Sequence, residues 1–214
     1  MKLRRKDMRL YAVTAHIRAR DAQELLAQVA DAAEGGATII QLREKHMDGA
    51  ELIEEARAFA VLCRDKGVIS IINDRADVAV AANADGVHVG QDDLEAGRAR
   101  EILGPDKILG VSAHNVEEAL RAEAAGADYL GVGAAFATDT KSEAKPISHA
   151  LYREITRAVH IPVVALGGIT RDNIMELSGR GLSGVAVVSA LFGAEDVCAA
   201  AQEMRALAER IAEE

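Results

Sequence analysis

Tryptophan is absent from the 214-residue sequence, and the other aromatic residues amount to three Tyr and three Phe. A core must then be assembled from Ala, Val, Ile and Leu around 18 glycines, a composition that suits short buried strands covered by Ala-rich helices. Cysteine is nearly missing: Cys63 and Cys198 lie far apart and outside any CxxC or Cys/His spacing, so neither a disulfide framework nor a zinc site is indicated. Positive charge is in deficit, with 25 Lys and Arg against 34 Asp and Glu for a net −9. Together with the few stacking aromatics, this argues against a general nucleic-acid binder. Uncharged runs fall short of the roughly 20 residues that span a bilayer. The basic start, Lys2 through Arg9, runs into Leu10-Tyr11-Ala12-Val13 without the apolar stretch of a signal peptide. The expectation is a soluble cytoplasmic protein with buried thiols, no membrane contact and no nucleic-acid partner.

Only three prolines occur, Pro105, Pro146 and Pro162, each at an apparent element boundary, and no linker interrupts the chain. One continuous domain over residues 1–214 is expected. Eight β-rich runs recur: Leu10–Thr14, Thr38–Arg43, Val68–Asn73, Gly86–Val89, Ile108–Ser112, Tyr129–Gly133, Pro162–Leu166 and Gly184–Ser189. Helical stretches lie between them, among them Ala22–Glu34, Ala50–Lys66, Asp77–Ala82, Asp93–Leu103, Val116–Ala125 and His149–Ala158, and Asp196–Ala212 closes the chain. Eightfold alternation of strand and helix predicts an α/β chain folded as a (β/α)8 barrel of the TIM type. The competitor, an open doubly wound sheet, is weakened because no GxGxxG follows the first strand.

In such a barrel the chemistry sits at the C-terminal ends of the strands. Polar groups collect there: Gln41, Arg43 and Lys45 after the second strand, Asn73 and Asp74 after the third, Gln91, Asp92 and Asp93 after the fourth, Ser112 after the fifth, Thr138, Thr140 and Lys141 after the sixth. Gly167-Gly168 and Val188-Ser189 end the last two strands, where barrels often hold a phosphate on backbone N–H groups. A tight turn alone would also explain an isolated Gly-Gly pair. Arg43 and Lys141 can face a second anionic group, or be ordinary solvated loop charges. Asp74 and Asp93, at adjacent strand ends, cannot easily lie together ionised without a cation between them, which suggests Mg2+ and diphosphate chemistry. The plainer alternative makes Asp92 or Asp93 the cap of the helix that follows. The six histidines show no metal spacing; His88 alternates with Val87 and Val89 in a strand as a structural residue would, while His114 lies just beyond Ser112 at a strand end.

The run Gln41-Leu42-Arg43-Glu44-Lys45, the step Asn73-Asp74-Arg75, Gly86 through Asp93, Gly110-Val111-Ser112-Ala113-His114, Thr138-Asp139-Thr140-Lys141 and Gly167-Gly168-Ile169 together resemble the thiamine-phosphate synthase family. The resemblance runs in order over nearly the whole chain. It implies a (β/α)8 transferase that joins hydroxymethylpyrimidine diphosphate to hydroxyethylthiazole phosphate, giving thiamine phosphate and diphosphate. By position, Gln41, Arg43, Lys45, Asn73 and Lys141 would hold the pyrimidine diphosphate, Asp74 and Asp93 would bind Mg2+, and Ser112 would contact the diphosphate. Thr138, Thr140, Gly168, Val188 and Ser189 would hold the thiazole phosphate, and Lys141, Ser112 and Arg43 would carry the catalysis. The chain departs from the family at Ala134, usually Pro, and at Ser148, commonly Gly. Two other functions stay open. A thiazole tautomerase would use His114 as acid and base but should lack the Gln41–Lys45, Asn73–Arg75 and Gly90–Asp93 features, and a non-catalytic thiamine-phosphate sensor would leave Asp74, Asp93 and Lys141 idle. The sequence leaves a homo-oligomer open.

Overall fold

Eight parallel strands close on themselves in chain order in the computed structural model, which describes residues 3–45, 47, 49–138 and 146–213. The strands are β1 (Leu10–Val13), β2 (Ile39–Leu42), β3 (Ile69–Asn73), β4 (Gly86–Val89), β5 (Ile108–Ala113), β6 (Tyr129–Gly133), β7 (Val163–Leu166) and β8 (Gly184–Val187). The helices are α1 (Ala22–Glu34), α2 (Gly49–Lys66), α3 (Ala76–Ala81), α4 (Ala96–Leu103), α5 (Val116–Ala124), α6 (His149–Ala158), α7 (Ser189–Phe192) and α8 (Val197–Glu213). The expected barrel is therefore present, with each strand limit unchanged or shifted by one or two residues.

Three expectations are corrected. The eightfold alternation fails between β7 and β8, where a 3-10 turn, Ile174–Leu177, replaces a helix. That connection carries only two apolar anchors, Ile174 and Leu177, both fully buried and spaced one 3-10 turn apart. Second, α4 begins at Ala96 rather than Asp93, because Glu95 caps it by accepting from the N–H groups of Gly97 and Arg98 at 3.1 Å each. Third, β8 stops at Val187, and Ser189 opens the short helix α7 instead of ending the strand.

Strand register explains how the barrel fills. Alternate residues face inward, so Tyr11, Ile39, Ile71, Ile108, Tyr129, Val164 and Ala186 form a small interior core. Their neighbours, such as Ile40, Leu42, Ile72 and Val87, pack outward with Phe59, Tyr152 and Leu191 in the layer beneath the helices. Polar side chains just before the strands tie each to its predecessor. The Asp85 carboxylate accepts from Ser70 N–H at 2.8 Å, that of Asp128 from Leu109 N–H at 2.8 Å, and Thr38 Oγ1 from Leu10 N–H at 3.2 Å.

Tyr129 reaches across the interior because Gly110 on the neighbouring strand makes room. A Cβ at Gly110 would stand 2.1 Å from the Tyr129 ring, inside any contact distance. Gly110→Ala should therefore displace a fully buried tyrosine and lower stability by about 3 kcal/mol or more. Thermal unfolding would show it, and an unchanged midpoint would contradict this account of the interior.

Candidate active site

The same alternation that sends Tyr11 and Ile39 inward brings a second ring of residues to the barrel mouth. Gln41 and Arg43 continue the inward set of β2, Asn73 that of β3, His88 that of β4, Ser112 and His114 that of β5, and Gly168 and Val188 those of β7 and β8. All of these line one pocket at the C-terminal end, together with Thr138 and Ser189. Eight of the expected site residues are thereby gathered: Gln41, Arg43, Asn73, Ser112, Thr138, Gly168, Val188 and Ser189. Lys45, Asp74 and Asp93 do not line this pocket. Thr140 and Lys141 lie outside the described residues.

Asp74 and Asp93 nonetheless act on each other. Burial, a side-chain hydrogen bond from Asp93 and the charge of Asp93 push the Asp74 carboxyl up to about 6, against the charge of Lys45 and a bond from Asn73. Asp93 also folds back on its loop and accepts from Gly90 N–H at 2.7 Å. The helix-cap alternative for Asp93 therefore gives way to an exposed carboxylate that closes its own loop and faces Asp74. Asp74 sits at φ 62°, a backbone conformation that asparagine and aspartate tolerate better than other non-glycine residues.

The raised value fixes the sign of a pH effect in the metal-free protein. A carboxyl that binds its proton more tightly when folded favours the folded state at low pH, and that contribution is lost as pH rises from about 4 through about 6. Wild-type protein in chelator should accordingly lose thermal stability across that window, while Asp74→Asn should lose less. Parallel curves for the two proteins would contradict the pairing.

Beneath the mouth runs a buried series of hydrogen bonds. Gln41 Nε2 donates to the Tyr11 hydroxyl, Tyr11 meets Tyr129 at 2.8 Å, Tyr129 meets His88 Nδ1 at 3.0 Å, and His88 Nε2 meets Ser112 Oγ at 2.9 Å. Gln41, Tyr11, Tyr129 and His88 are all buried. Two proton arrangements, running in opposite directions, satisfy every link; in the one where each phenol donates onward, Nδ1 of His88 accepts and Nε2–H donates to Ser112. Ser112 is then left with its own proton to offer into the pocket. Burial raises both phenols well above their ordinary range, so they stay neutral donors. Sequence reasoning passed over Tyr11 and Tyr129 and took His88 as structural; the signal was their inward phase on three different strands.

Arg43 is half-buried at the pocket wall and forms no ion pair among the described residues, so its charge is available to an anion. Gly167 and Gly168 have φ of 96° and 64°, and a Cβ at Gly168 would stand 2.4 Å from the Ala137 carbonyl oxygen. The turn alone thus requires glycine at position 168. Its place in the pocket, rather than its being glycine, ties it to a ligand. His114 sits at the exposed rim, its Nδ1 3.0 Å from the Glu118 carboxylate. Ser148, one of the two family departures, caps α6 through Ala150 N–H, and the Gly133–Ala134 peptide at the other is cis.

A closed (β/α)8 barrel with polar groups from six strand ends converging on one mouth has the architecture of the barrel enzymes, whose sites lie at that end. Residues 10–191 match the family model described as thiamine monophosphate synthase. The chain is 52% identical over 177 residues to thiamine-phosphate synthase of Moorella thermoacetica, covering 82% of this chain and 84% of that protein. It is 50% identical to the Chloroflexus aurantiacus thiamine-phosphate synthase, over 94% of this chain and 93% of the relative. Among solved structures, thiamine phosphate pyrophosphorylase from Pyrococcus furiosus superposes with a TM-score of 0.87 at 41% identity, covering 97% of this chain and 98% of that one. The chain belongs to the thiamine monophosphate synthase family, and is an enzyme of thiamine biosynthesis and a transferase in general kind. No helix among the described residues is long and apolar enough to cross a membrane.

Proposed function

We propose that the mouth joins hydroxymethylpyrimidine diphosphate to hydroxyethylthiazole phosphate. The carbon–oxygen bond to diphosphate breaks with its electron pair leaving on diphosphate, and the thiazole nitrogen lone pair forms the new carbon–nitrogen bond to give thiamine phosphate. The observation that carries this reading is the convergence of Gln41, Arg43, Asn73 and Ser112 with Thr138, Gly168, Val188 and Ser189 around one pocket. The first group suits a polar ring bearing diphosphate, and the second offers backbone N–H groups and hydroxyls to a phosphate. Free thiols at Cys63, buried, and Cys198, half-buried, accord with a cytoplasmic setting.

Two carboxylates pressed together, one of them pushed up to about 6, are a donor set that a hard divalent cation relieves, so Asp74 and Asp93 fit Mg2+. Mg2+ held there would neutralise charge on the departing diphosphate. The protein's own groups do the rest. Arg43, Lys45 and Lys141 bind and stabilise the leaving anion, and Ser112, oriented by His88, donates a hydrogen bond to it. Gln41 fixes the pyrimidine, whose amino-substituted ring tolerates positive charge at the reacting carbon once diphosphate departs. This route needs neither a nucleophilic side chain nor a general base. The tautomerase alternative is disfavoured because Gln41, Arg43 and Asn73 line the mouth while His114 is tied to Glu118.

The test follows from the two halves of the pocket. Ser189→Asp places negative charge against the thiazole phosphate, so with diphosphate release as the readout the Michaelis constant for that substrate should rise about tenfold or more, with that for the pyrimidine diphosphate little changed. An effect confined to the pyrimidine substrate would reverse the orientation. Absence of diphosphate release from wild-type protein would overturn the function itself.

A further inference from the structure

Away from the pocket lining, three side chains that no sequence spacing connects come together. His16 lies in the segment after β1, Glu44 in the segment after β2, and Glu55 in α2, and one ligand atom from each lies within 4.8 Å of the others. Glu55 belongs to the buried face of α2 with Leu52, Ala56 and Phe59.

The hydrogen-bond accounting is incomplete in a particular way. His16 Nε2 lies 2.9 Å from Glu44 Oε1, where a carboxylate only accepts, so the ring donates there. Nδ1 stands 3.4 Å from the Ala19 carbonyl oxygen. Glu55 is 8% exposed, and its Oε1 is buried with no hydrogen-bond partner among the described residues. Burial and the charge of Glu44 both raise the Glu55 carboxyl above its ordinary range. An imidazole nitrogen and two carboxylates thus converge around the one proton that His16 shares with Glu44, and the buried Glu55 oxygen left without a donor is costly.

We propose that His16, Glu44 and Glu55 form a second divalent-cation site, separate from Asp74 and Asp93, that takes a borderline first-row ion of the Zn2+ class. One imidazole nitrogen with two carboxylate oxygens suits such an ion, whereas Mg2+ prefers oxygen ligands alone. Ligand bonds of about 2.0–2.2 Å require only a small inward movement of the three side chains. A bound ion would take the place of the proton between Nε2 and Glu44, and Nδ1–H would then face the Ala19 carbonyl oxygen. With His16 35% exposed along its side chain, the site opens outward on that side, where water can complete the coordination. Because Glu44 stands between Arg43 and Lys45, the ion would fasten the segment carrying both cations to α2, making this a structural site with leverage on the diphosphate end of the mouth.

The experiment uses the full chain stripped with chelator, then titrated with Zn2+ in competition with a chromophoric chelator and in excess Mg2+. Wild-type protein should hold one equivalent that excess Mg2+ does not displace, and Zn2+ should raise its unfolding temperature. Glu55→Gln and, as an exposed second variant in case the first folds poorly, His16→Asn should each weaken that equivalent at least about 10–100-fold, the loss produced even by groups that merely orient a metal's ligands. Asp74→Asn should retain it. Absence of the equivalent, equal affinity in His16→Asn, or its loss in Asp74→Asn would overturn the proposal. The last result would assign the ion to the mouth.

Discussion

Asp74→Asn is expected to lower turnover at saturating substrates and Mg2+ about 10²–10³-fold, the range that follows from losing one preorganised group that stabilises developing charge. Asparagine is the informative replacement. It keeps the size of the side chain and tolerates φ 62°, whereas alanine there would add roughly 1–2 kcal/mol of backbone strain and confuse the result. The substitution removes a half-buried charge that Asp93 already repels, so stability should not fall with activity. That opposite response of activity and stability marks a group held in an unfavourable place for function. Asp93→Asn should lose activity similarly, and in addition weaken the turn closed by Gly90 N–H. Unchanged Mg2+ dependence in both variants would remove the two aspartates from the reaction.

Lys141→Ala is expected to cost about 10²–10³ in kcat with smaller changes in the Michaelis constants. Lys141 follows Thr138 and Thr140 in the sequence after β6, and Thr138 is in the pocket lining. Its charge matters most when the leaving anion forms, which is why the loss should fall on kcat. Arginine should restore activity only in part, because a planar fork does not reproduce a compact ammonium. Wild-type kcat in Lys141→Ala would assign the leaving-group charge to Arg43 and Lys45 alone.

The barrel was legible because strand and helix alternate in the sequence. Gln41, Arg43 and Asn73 could be placed at the mouth because they stand at the C-terminal ends of the second and third strands. Asp74 and Asp93 were suspected as partners from adjacent strand ends, and Asp74 does feel Asp93. What could not be read depends on distance across the barrel. Tyr11, Tyr129 and His88 look like ordinary strand residues until closure sets them 2.8–3.0 Å apart in the series that ends on Ser112. The start of α4 was misplaced because Asp92 and Asp93 are favoured cap residues in sequence and glutamate is not, whereas Glu95 is the cap. Only the fold shows that Asp93 turns back to Gly90. His16, Glu44 and Glu55 come from three segments, so motif spacing carries no trace of their meeting.

The central claim is that this mouth couples departure of diphosphate to bond formation at the thiazole nitrogen. A single-turnover experiment tests it most directly: excess enzyme with hydroxymethylpyrimidine diphosphate and hydroxyethylthiazole phosphate, quenched over time, with diphosphate and thiamine phosphate both quantified, in Mg2+ and in chelator. The account predicts equal amounts of the two products, formed together in Mg2+ and suppressed about 10²-fold or more in chelator. Thiamine phosphate formed at the same rate in chelator would contradict the metal's role, and consumption of the thiazole phosphate without diphosphate release would contradict the reaction.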